Sequence, residues 1–240
     1  MTLLVVLPTY NERLNLENVV EAVMRHDFTR MLVVDDASPD GTGDLADELA
    51  ERWPGRVEVM HRKGPRGLGL AYVDGLSRAL TTDVEAIGQM DADLSHDPAY
   101  LPDLVASLAT NDVAIGSRYL RGVSVINWPL HRIVLSAFAN RYIRAVTGLS
   151  PADCTSGFRV WRHEALARLP LATARASGYA FLTEMLYEAG RLGLRIGEVP
   201  IVFVERQEGY SKVSQRVLFE SLLTPWRLIL RGGRCGPPSA

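Results

Sequence analysis

The sequence predicts an α/β fold built on a mostly parallel sheet, and three observations predict it. Apolar-rich runs recur at Met31–Val34, Val57–Met60, Ala86–Met90 and Val113–Ile115 after Leu3–Leu7, which is short and continuously apolar. Runs of this kind, without polar alternation, are what strands buried on both faces show. Segments with helical spacing separate them, and such alternation implies a sheet covered by helices on both sides. Finally, polar clusters follow four of the runs: Pro8-Thr9-Tyr10-Asn11-Glu12, Asp35-Asp36, Asp91 to Asp93, and Gly116-Ser117-Arg118-Tyr119. Ligands of such sheets bind beyond the carboxyl ends of the strands, so the four clusters are expected along one edge, framing a nucleotide-type site.

The elements follow in order. Strand Leu3–Leu7 leads to a helix over Asn15–Arg25, with Leu16, Val19, Val20 and Val23 on one face. Strand Met31–Val34 runs into the turn-forming Ala37 to Thr42 and a helix carrying Leu45, Ala46, Leu49 and Ala50. Val57–Met60 is a weaker third strand, and after a glycine-rich turn a helix extends through Leu80. Strand Ala86–Met90, helix Tyr100–Leu108 and strand Val113–Ile115 complete the alternation, which lapses beyond Tyr119. A helix from Trp128 to Val146, begun by Pro129, puts Arg132, Ser136 and Asn140 on one stripe. The loop Ser150–Gly157 precedes a short strand Phe158–Trp161, a helix Phe181–Leu192 and a strand over Ile196–Val204. Between Val217 and Leu230 an apolar face is flanked by Arg216, Arg227, Arg231 and Arg234, the composition of a helix lying at an interface or packed on its own domain. The Gly- and Pro-rich tail Gly232–Ala240 reads as unstructured.

Bulk properties exclude several classes. A chain of 240 residues, 47% of them hydrophobic, supports a sizeable core. Its formal net charge of -2 provides no global field for nucleic acid, so an anion site must come from local Arg and Lys. Two cysteines, Cys154 and Cys235, are too few for a disulfide scaffold or a cysteine zinc site and point to a reducing compartment, the cytoplasm. The amino end MTLLVVLP has no basic leader. The most apolar late stretch, Val217–Leu230, is interrupted by Glu220, Pro225 and Arg227, so the chain is expected to lie on a membrane and not to cross it. Gly67-Leu68-Gly69-Leu70-Ala71-Tyr72 lacks the third glycine of a dinucleotide fingerprint and does not follow the first strand. No phosphate-loop or serine hydrolase signature occurs, and the five histidines lack ligand spacing; a local hydrogen-bonding role is expected for His96.

The chemistry centres on Asp91 and Asp93. In extended backbone, residues i and i+2 point the same way, so the two carboxylates can converge on a divalent cation such as Mg²⁺ or Mn²⁺ completed by a nucleotide diphosphate. Alone, the tripeptide reads as a solvated turn capping the next helix; the polar endings of the neighbouring strands turn it toward a nucleotide and metal site. Arg118, Arg132, Arg206 and Lys212 form an anion clamp if the fold gathers them, which implies a second phosphate-bearing substrate. The basic stretch Arg62-Lys63-Gly64-Pro65-Arg66 suits a nucleotide phosphate or base, or a solvated turn.

These residues resemble the inverting family 2 glycosyltransferases and, within them, the dolichyl- and polyprenyl-phosphate mannosyltransferases. The resemblance runs through PTYNE (Pro8 to Glu12), VDDASPDGT (Val34 to Thr42), GLGLAY, MDADLSHDP (Met90 to Pro98), GSRY (Gly116 to Tyr119), CTSGFRVWR (Cys154 to Arg162) and EVPIVFVERQEGYSK (Glu198 to Lys212). It implies the type-A glycosyltransferase fold as one catalytic domain over residues 1–231, with a nucleotide-binding half to about residue 120, an acceptor and membrane-facing half beyond it, and a flexible tail 232–240. Pro8, Tyr10, Glu12, Val34, Asp36 and Asp91 would hold the nucleotide sugar, GDP-mannose, and Asp91 with Asp93 would bind Mg²⁺ or Mn²⁺ on its diphosphate. Arg118, Arg132 and Ser136 would grip the phosphate of a polyprenyl or dolichyl phosphate, with Arg206 and Lys212 closing over the phosphates. Asp91, Asp93, Arg118, Arg206 and Lys212 thus form the expected catalytic set, at the cytoplasmic face of a membrane. A phosphate monoester, with a second pKa near 6, is mostly dianionic at neutral pH and needs no general base. The expected reaction is inverting transfer giving polyprenyl β-mannosyl phosphate. UDP-glucose or another nucleotide sugar as donor is the alternative within the class, and a non-catalytic membrane-docked subunit the alternative outside it. Two positions depart from the pattern: Leu182 stands where relatives often place Gln, and Ser95 where some use Gln as a further metal contact.

Overall fold

A computed structural model of the chain describes residues 1–171, 179–204 and 215–235. Its strands are β1 (Leu3–Thr9), β2 (Thr29–Asp35), β3 (Val57–His61), β4 (Ala86–Gln89), β5 (Val113–Ser117), β6 (Val125–Ile126), β7 (Arg159–Arg162), β8 (Ile196–Pro200) and β9 (Phe203–Val204). The helices are α1 (Arg13–Met24), α2 (Thr42–Arg52), α3 (Leu68–Ala79), α4 (Leu101–Ser107), α5 (Leu130–Thr147), α6 (His163–Leu166), α7 (Tyr179–Arg191) and α8 (Gln215–Gly232), with a 3-10 turn at Pro98–Tyr100 leading into α4.

Seven strands form one sheet in the order β3-β2-β1-β4-β7-β5-β8. Val5 of β1 pairs in parallel with Met31 of β2 on one side and Gly88 of β4 on the other. The expected mostly parallel α/β sheet is the observed one, with a single antiparallel member: β7 lies between β4 and β5 and opposes both. The carboxyl ends of β1, β2, β4 and β5 therefore share one edge.

Strand alternation sorts the core into two layers. Leu3, Val5 and Leu7 of β1 pack with Leu16, Val20, Leu49 and Leu104 from α1, α2 and α4. Leu4 and Val6 face the other way, with Tyr72 and Leu76 of α3 and Phe181 and Met185 of α7. Gly75 lets α3 lie directly on the sheet: a Cβ there would stand 2.6 Å from Val6 Cγ1 and 2.8 Å from Val34 Cγ2. A third cluster, including Ile143, Leu186, Tyr187 and Leu228, joins α5, α7 and α8.

Two expectations change. The strand expected over Ile196–Val204 is two: Pro200 and Ile201 end the pairing with β5, and Phe203–Val204 pairs instead with Val125–Ile126 in a small second sheet. The tail, expected to be unstructured from Gly232, is docked as far as Cys235, whose amide donates to the Thr147 carbonyl at 2.8 Å. Residues 236–240 lie outside the described residues. Among the described residues, no helix is long and apolar enough to cross a membrane.

Candidate active site

A cleft of about 370 Å³ opens at the carboxyl edge of the sheet. Pro8, Tyr10 and Glu12 line it from the end of β1, Asp36 from the end of β2, Gly67 and Ala71 from the start of α3, and Asp91 and Asp93 from the end of β4. The turns leaving these strands are held in unusual backbone: Asn11, Ala37 and Leu94 have φ of 60°, 56° and 61°. Left-handed conformations cost non-glycine residues of order 1–3 kcal/mol each and collect where structure is constrained by function.

Asp36 is buried and anchors the loop before α3. It accepts from the Gly67 amide at 2.7 Å and from the Arg62 guanidinium, which also reaches Asp74 at 2.7 Å. Arg66 lines the cleft, donates to the Tyr10 hydroxyl and places its guanidinium carbon 5.1 Å from the Tyr10 ring centroid. Arg66 was legible only as part of a basic stretch; its contact with Tyr10 depends on the fold. Val34, expected among the donor residues, has its side chain buried against α3 at Gly75 and away from the cleft wall, because alternation along β2 turns that position to the α3 face.

At the end of β4, Asp91 Oδ1 accepts from the Tyr72 hydroxyl at 3.2 Å, and the Asp91 amide donates to His96 Nδ1 at 3.2 Å. That bond assigns the ring proton of neutral His96 to Nε2, and it is the local role expected of this histidine. Burial holds the imidazole below its ordinary pKa, against the opposing charges of Asp91 and Asp93. Burial likewise pushes the Tyr72 phenol well above its ordinary value, and Asp91 adds to the shift. Asp93 Oδ1 accepts from the Ser95 amide at 3.1 Å and its hydroxyl at 2.5 Å, so Ser95 orients the second carboxylate.

Among the described residues, no three acid, histidine or cysteine side chains gather into a metal cage. Two carboxylates lining one cleft nevertheless fit a hard cation of the Mg²⁺ type, which commonly takes one or two carboxylates and completes its shell with water and substrate phosphate oxygens. Both donors are oxygen, as such a cation requires.

A second group of side chains lies beyond β5. Arg118 is buried and engages Asp153 in a fork: Nε to Oδ2 and Nη2 to Oδ1, both 2.7 Å. Nη2 also reaches Thr155 Oγ1 at 2.7 Å. Burial alone would raise the Asp153 carboxyl, but the charge and hydrogen bonds of Arg118 outweigh it and hold it below the ordinary value. Three rings surround this guanidinium, Tyr119, Trp128 and Phe203, at 5.6, 5.6 and 5.4 Å. Arg132 sits 4.2 Å from the Trp128 ring centroid, so one indole contacts both arginines. Asn140, on the expected stripe, binds the Ser136 carbonyl at 3.0 Å, Thr155 Oγ1 at 3.3 Å and the Cys154 amide at 2.7 Å.

Arg118 and Arg132 thus meet at Trp128, Arg118 and Asn140 both reach Thr155, and Ser136 joins them through its carbonyl, which accepts from Asn140. Arg206 and Lys212 lie outside the described residues. Phe203 joins the two groups, since its ring also meets His96 edge-on at 5.5 Å. Among the described residues, Tyr119 Oη and Trp128 Nε1 are buried without a hydrogen-bond partner. Sequence reasoning missed Asp153, Trp128 and Tyr72 as members of the site. Leu182, where a Gln side chain is absent, contributes its carbonyl to buried Arg159 at 2.6 Å. Burial pushes the Cys154 thiol up to about 12, which makes it inert as a nucleophile at neutral pH.

The sequence matches the family described as Glycosyl transferase family 2 over residues 4–169. It is 44% identical over 231 residues to the polyprenol monophosphomannose synthase of Mycolicibacterium smegmatis, covering 95% of this chain and 87% of that protein. It is 42% identical over 237 residues to the undecaprenyl-phosphate mannosyltransferase of Micrococcus luteus, covering 96% of each. The fold is shared with a Pyrobaculum calidifontis mannosyltransferase solved in complex with GDP-Man and Mn²⁺, at TM-score 0.67 and 21% identity over 98% of this chain and 66% of that one. It is shared also with the Mycobacterium tuberculosis glucosyl-3-phosphoglycerate synthase, at TM-score 0.68 and 22% identity over 100% of this chain and 80% of that one.

Proposed function

Because the chain belongs to Glycosyl transferase family 2, we propose that it transfers mannose from GDP-mannose to a polyprenyl phosphate, inverting the anomeric carbon. The observation that carries this reading is the cleft lined by Asp91 and Asp93, in a chain 44% identical to a polyprenol monophosphomannose synthase. Pro8, Tyr10, Glu12 and Asp36 form the remaining donor wall, and Arg66 stands where it can meet a phosphate or base. Asp91 and Asp93 would hold Mg²⁺ or Mn²⁺, which neutralises charge developing on the departing diphosphate.

Arg132 and Ser136 are assigned to the acceptor phosphate. Arg118, already matched by Asp153, shapes that site and lends it positive potential. The unpartnered Tyr119 hydroxyl and Trp128 indole N–H support the assignment, because both are donors and phosphate supplies acceptors. An acceptor phosphate oxygen attacks the anomeric carbon, the bond from that carbon to the β-phosphate oxygen breaks, and the electron pair leaves with GDP. No side chain need remove a proton, since the nucleophile is already an anion. The result is a β-linked mannosyl phosphate.

The acceptor's lipid chain calls for an apolar surface beside this site. Leu130, Val134 and Phe138 recur every fourth residue on α5 and are exposed, as are Leu222, Trp226 and Leu230 on α8. The helices are tied by the Tyr142 hydroxyl, which donates to the Leu222 carbonyl at 2.7 Å. Exposed Arg141, Arg144, Arg227 and Arg234 accompany them. This face is assigned to docking on the cytoplasmic leaflet.

Purified protein given Mg²⁺ or Mn²⁺, labelled GDP-mannose and polyprenyl phosphate should produce lipid-extractable label, and Asp91→Ala should abolish it. No label from GDP-mannose, with label from UDP-glucose in a parallel reaction, would replace the donor; no label from either would sink the reading.

A further inference from the structure

We infer that Tyr72 is a positioning residue for transfer, fixing the orientation of the Asp91 carboxylate from the core side of the cleft. This rests on the reading of Asp91 as the residue that meets the cation and diphosphate. Rotation of an aspartate carboxylate about its last bond is soft and roughly two-fold, so a chain that must present one orientation needs groups that set it. Tyr72 is built to do so. Its ring is fully buried and stacks on Phe181, 6.1 Å between centroids and 11° between planes. Its helix is seated directly on the sheet, because Gly75 brings α3 against Val6 and Val34. The phenol is a donor at neutral pH, and its hydroxyl lies 3.2 Å from Asp91 Oδ1.

The remaining sides of Asp91 are also shaped. His96 takes the Asp91 amide and is itself stacked on Phe158 at 5.1 Å. A Cβ at Gly157 would stand 3.4 Å from both Asp91 oxygens, so the glycine leaves no more than a methyl-sized space on that side of the carboxylate. A hydrogen bond from a rigid ring to a metal-binding carboxylate is the kind of support whose loss costs 10–100-fold in metal affinity or activity.

Tyr72→Phe keeps the ring and its stack and removes only the hydroxyl. The test is titration of Mn²⁺–GDP followed by the electron paramagnetic resonance of free Mn²⁺, alongside steady-state transfer and thermal melting. The dissociation constant of Mn²⁺–GDP should rise about 10-fold, and kcat should fall while KM for polyprenyl phosphate stays unchanged. Tyr72→Phe that binds Mn²⁺–GDP as wild type does, whatever its melting temperature, overturns the inference alone. Wild-type protein that binds no Mn²⁺–GDP overturns the metal and diphosphate reading as well. Should Tyr72→Phe not fold, Phe181→Leu loosens the stack and keeps the hydroxyl; weakened Mn²⁺–GDP binding there supports the inference, and unchanged binding overturns it.

Discussion

Arg118 and Asp153 illustrate how a single pair sets the character of a site. Both are buried, and the forked hydrogen bonds between them satisfy the charges that burial would otherwise penalise. Asp153→Asn removes the counter-charge and leaves a buried guanidinium uncompensated, a change of order 3–5 kcal/mol in stability. Its pH signature follows from the direction of the shift. The folded Asp153 carboxyl lies below its unfolded value of about 3.9. Its contribution is therefore complete above that value and is lost as pH falls through the lower, folded one. Urea unfolding at pH 7, 4 and 3 should show wild-type stability falling with acid and a shallower fall in Asp153→Asn below about pH 4. Asp91, Asp93 and Arg118 were legible in the sequence because each ends an apolar run. Asp153 was not, since it lies 35 residues from Arg118 in a loop with no periodicity. Tyr72 was visible only as part of a glycine-containing turn.

At the scale of elements, strands read well where both faces are buried and poorly where direction matters. The five runs from Leu3 to Ile115 became β1 to β5 with small changes in their ends, because apolar residues dominate each and only Glu58 and Gln89 interrupt them. Phe158–Trp161 was recognisable as strand, but a run of four residues carries no mark of its antiparallel placement; that depends on which edges are open when it arrives. The break after Pro200 was hidden by the apolar Ile201-Val202-Phe203, which continue the composition of a strand while serving a different sheet. The seat of α3 supplies the test at this scale. Gly75→Ala would force a methyl group into Val6 and Val34 and should destabilise the fold by about 1–3 kcal/mol, read as a lower urea midpoint with an unchanged slope.

At the scale of the molecule, function requires a water-soluble donor and a lipid acceptor to meet at one edge. Leu130, Val134 and Phe138 of α5 and Leu222, Trp226 and Leu230 of α8 are exposed on two helices that pack together, and exposed arginines lie on both. Phe138→Glu combined with Trp226→Glu should reduce sedimentation with vesicles containing anionic lipid at least about 10-fold, while Mn²⁺–GDP binding is unchanged; lost binding of the nucleotide would place this face in the donor site instead. Retained attraction should weaken with salt, as each basic residue near an anionic surface contributes about 1 kcal/mol that screening removes. The sequence pattern indicated an amphipathic helix at the carboxyl end but not the second ladder on α5, whose apolar residues alternate with the polar stripe of Arg132 and Ser136. The packing of α5 on α8, with the Tyr142 hydroxyl on the Leu222 carbonyl, was not legible either.

The antiparallel strand β7 has a metrical consequence. Neighbouring strands stand about 4.8 Å apart, so inserting β7 sets the end of β4 and the end of β5 about 10 Å from one another. Because β7 runs backwards, its amino end lies on the same edge, and Gly157 just ahead of it passes close to Asp91. Direct pairing of β4 with β5 would halve the gap and crowd the proposed diphosphate and phosphate sites, anion on anion. With one reversed strand between them, the strand end carrying Asp91 and the one carrying Arg118 stand far enough apart, on the proposed assignment, for an anomeric carbon to sit between the departing diphosphate and the attacking phosphate.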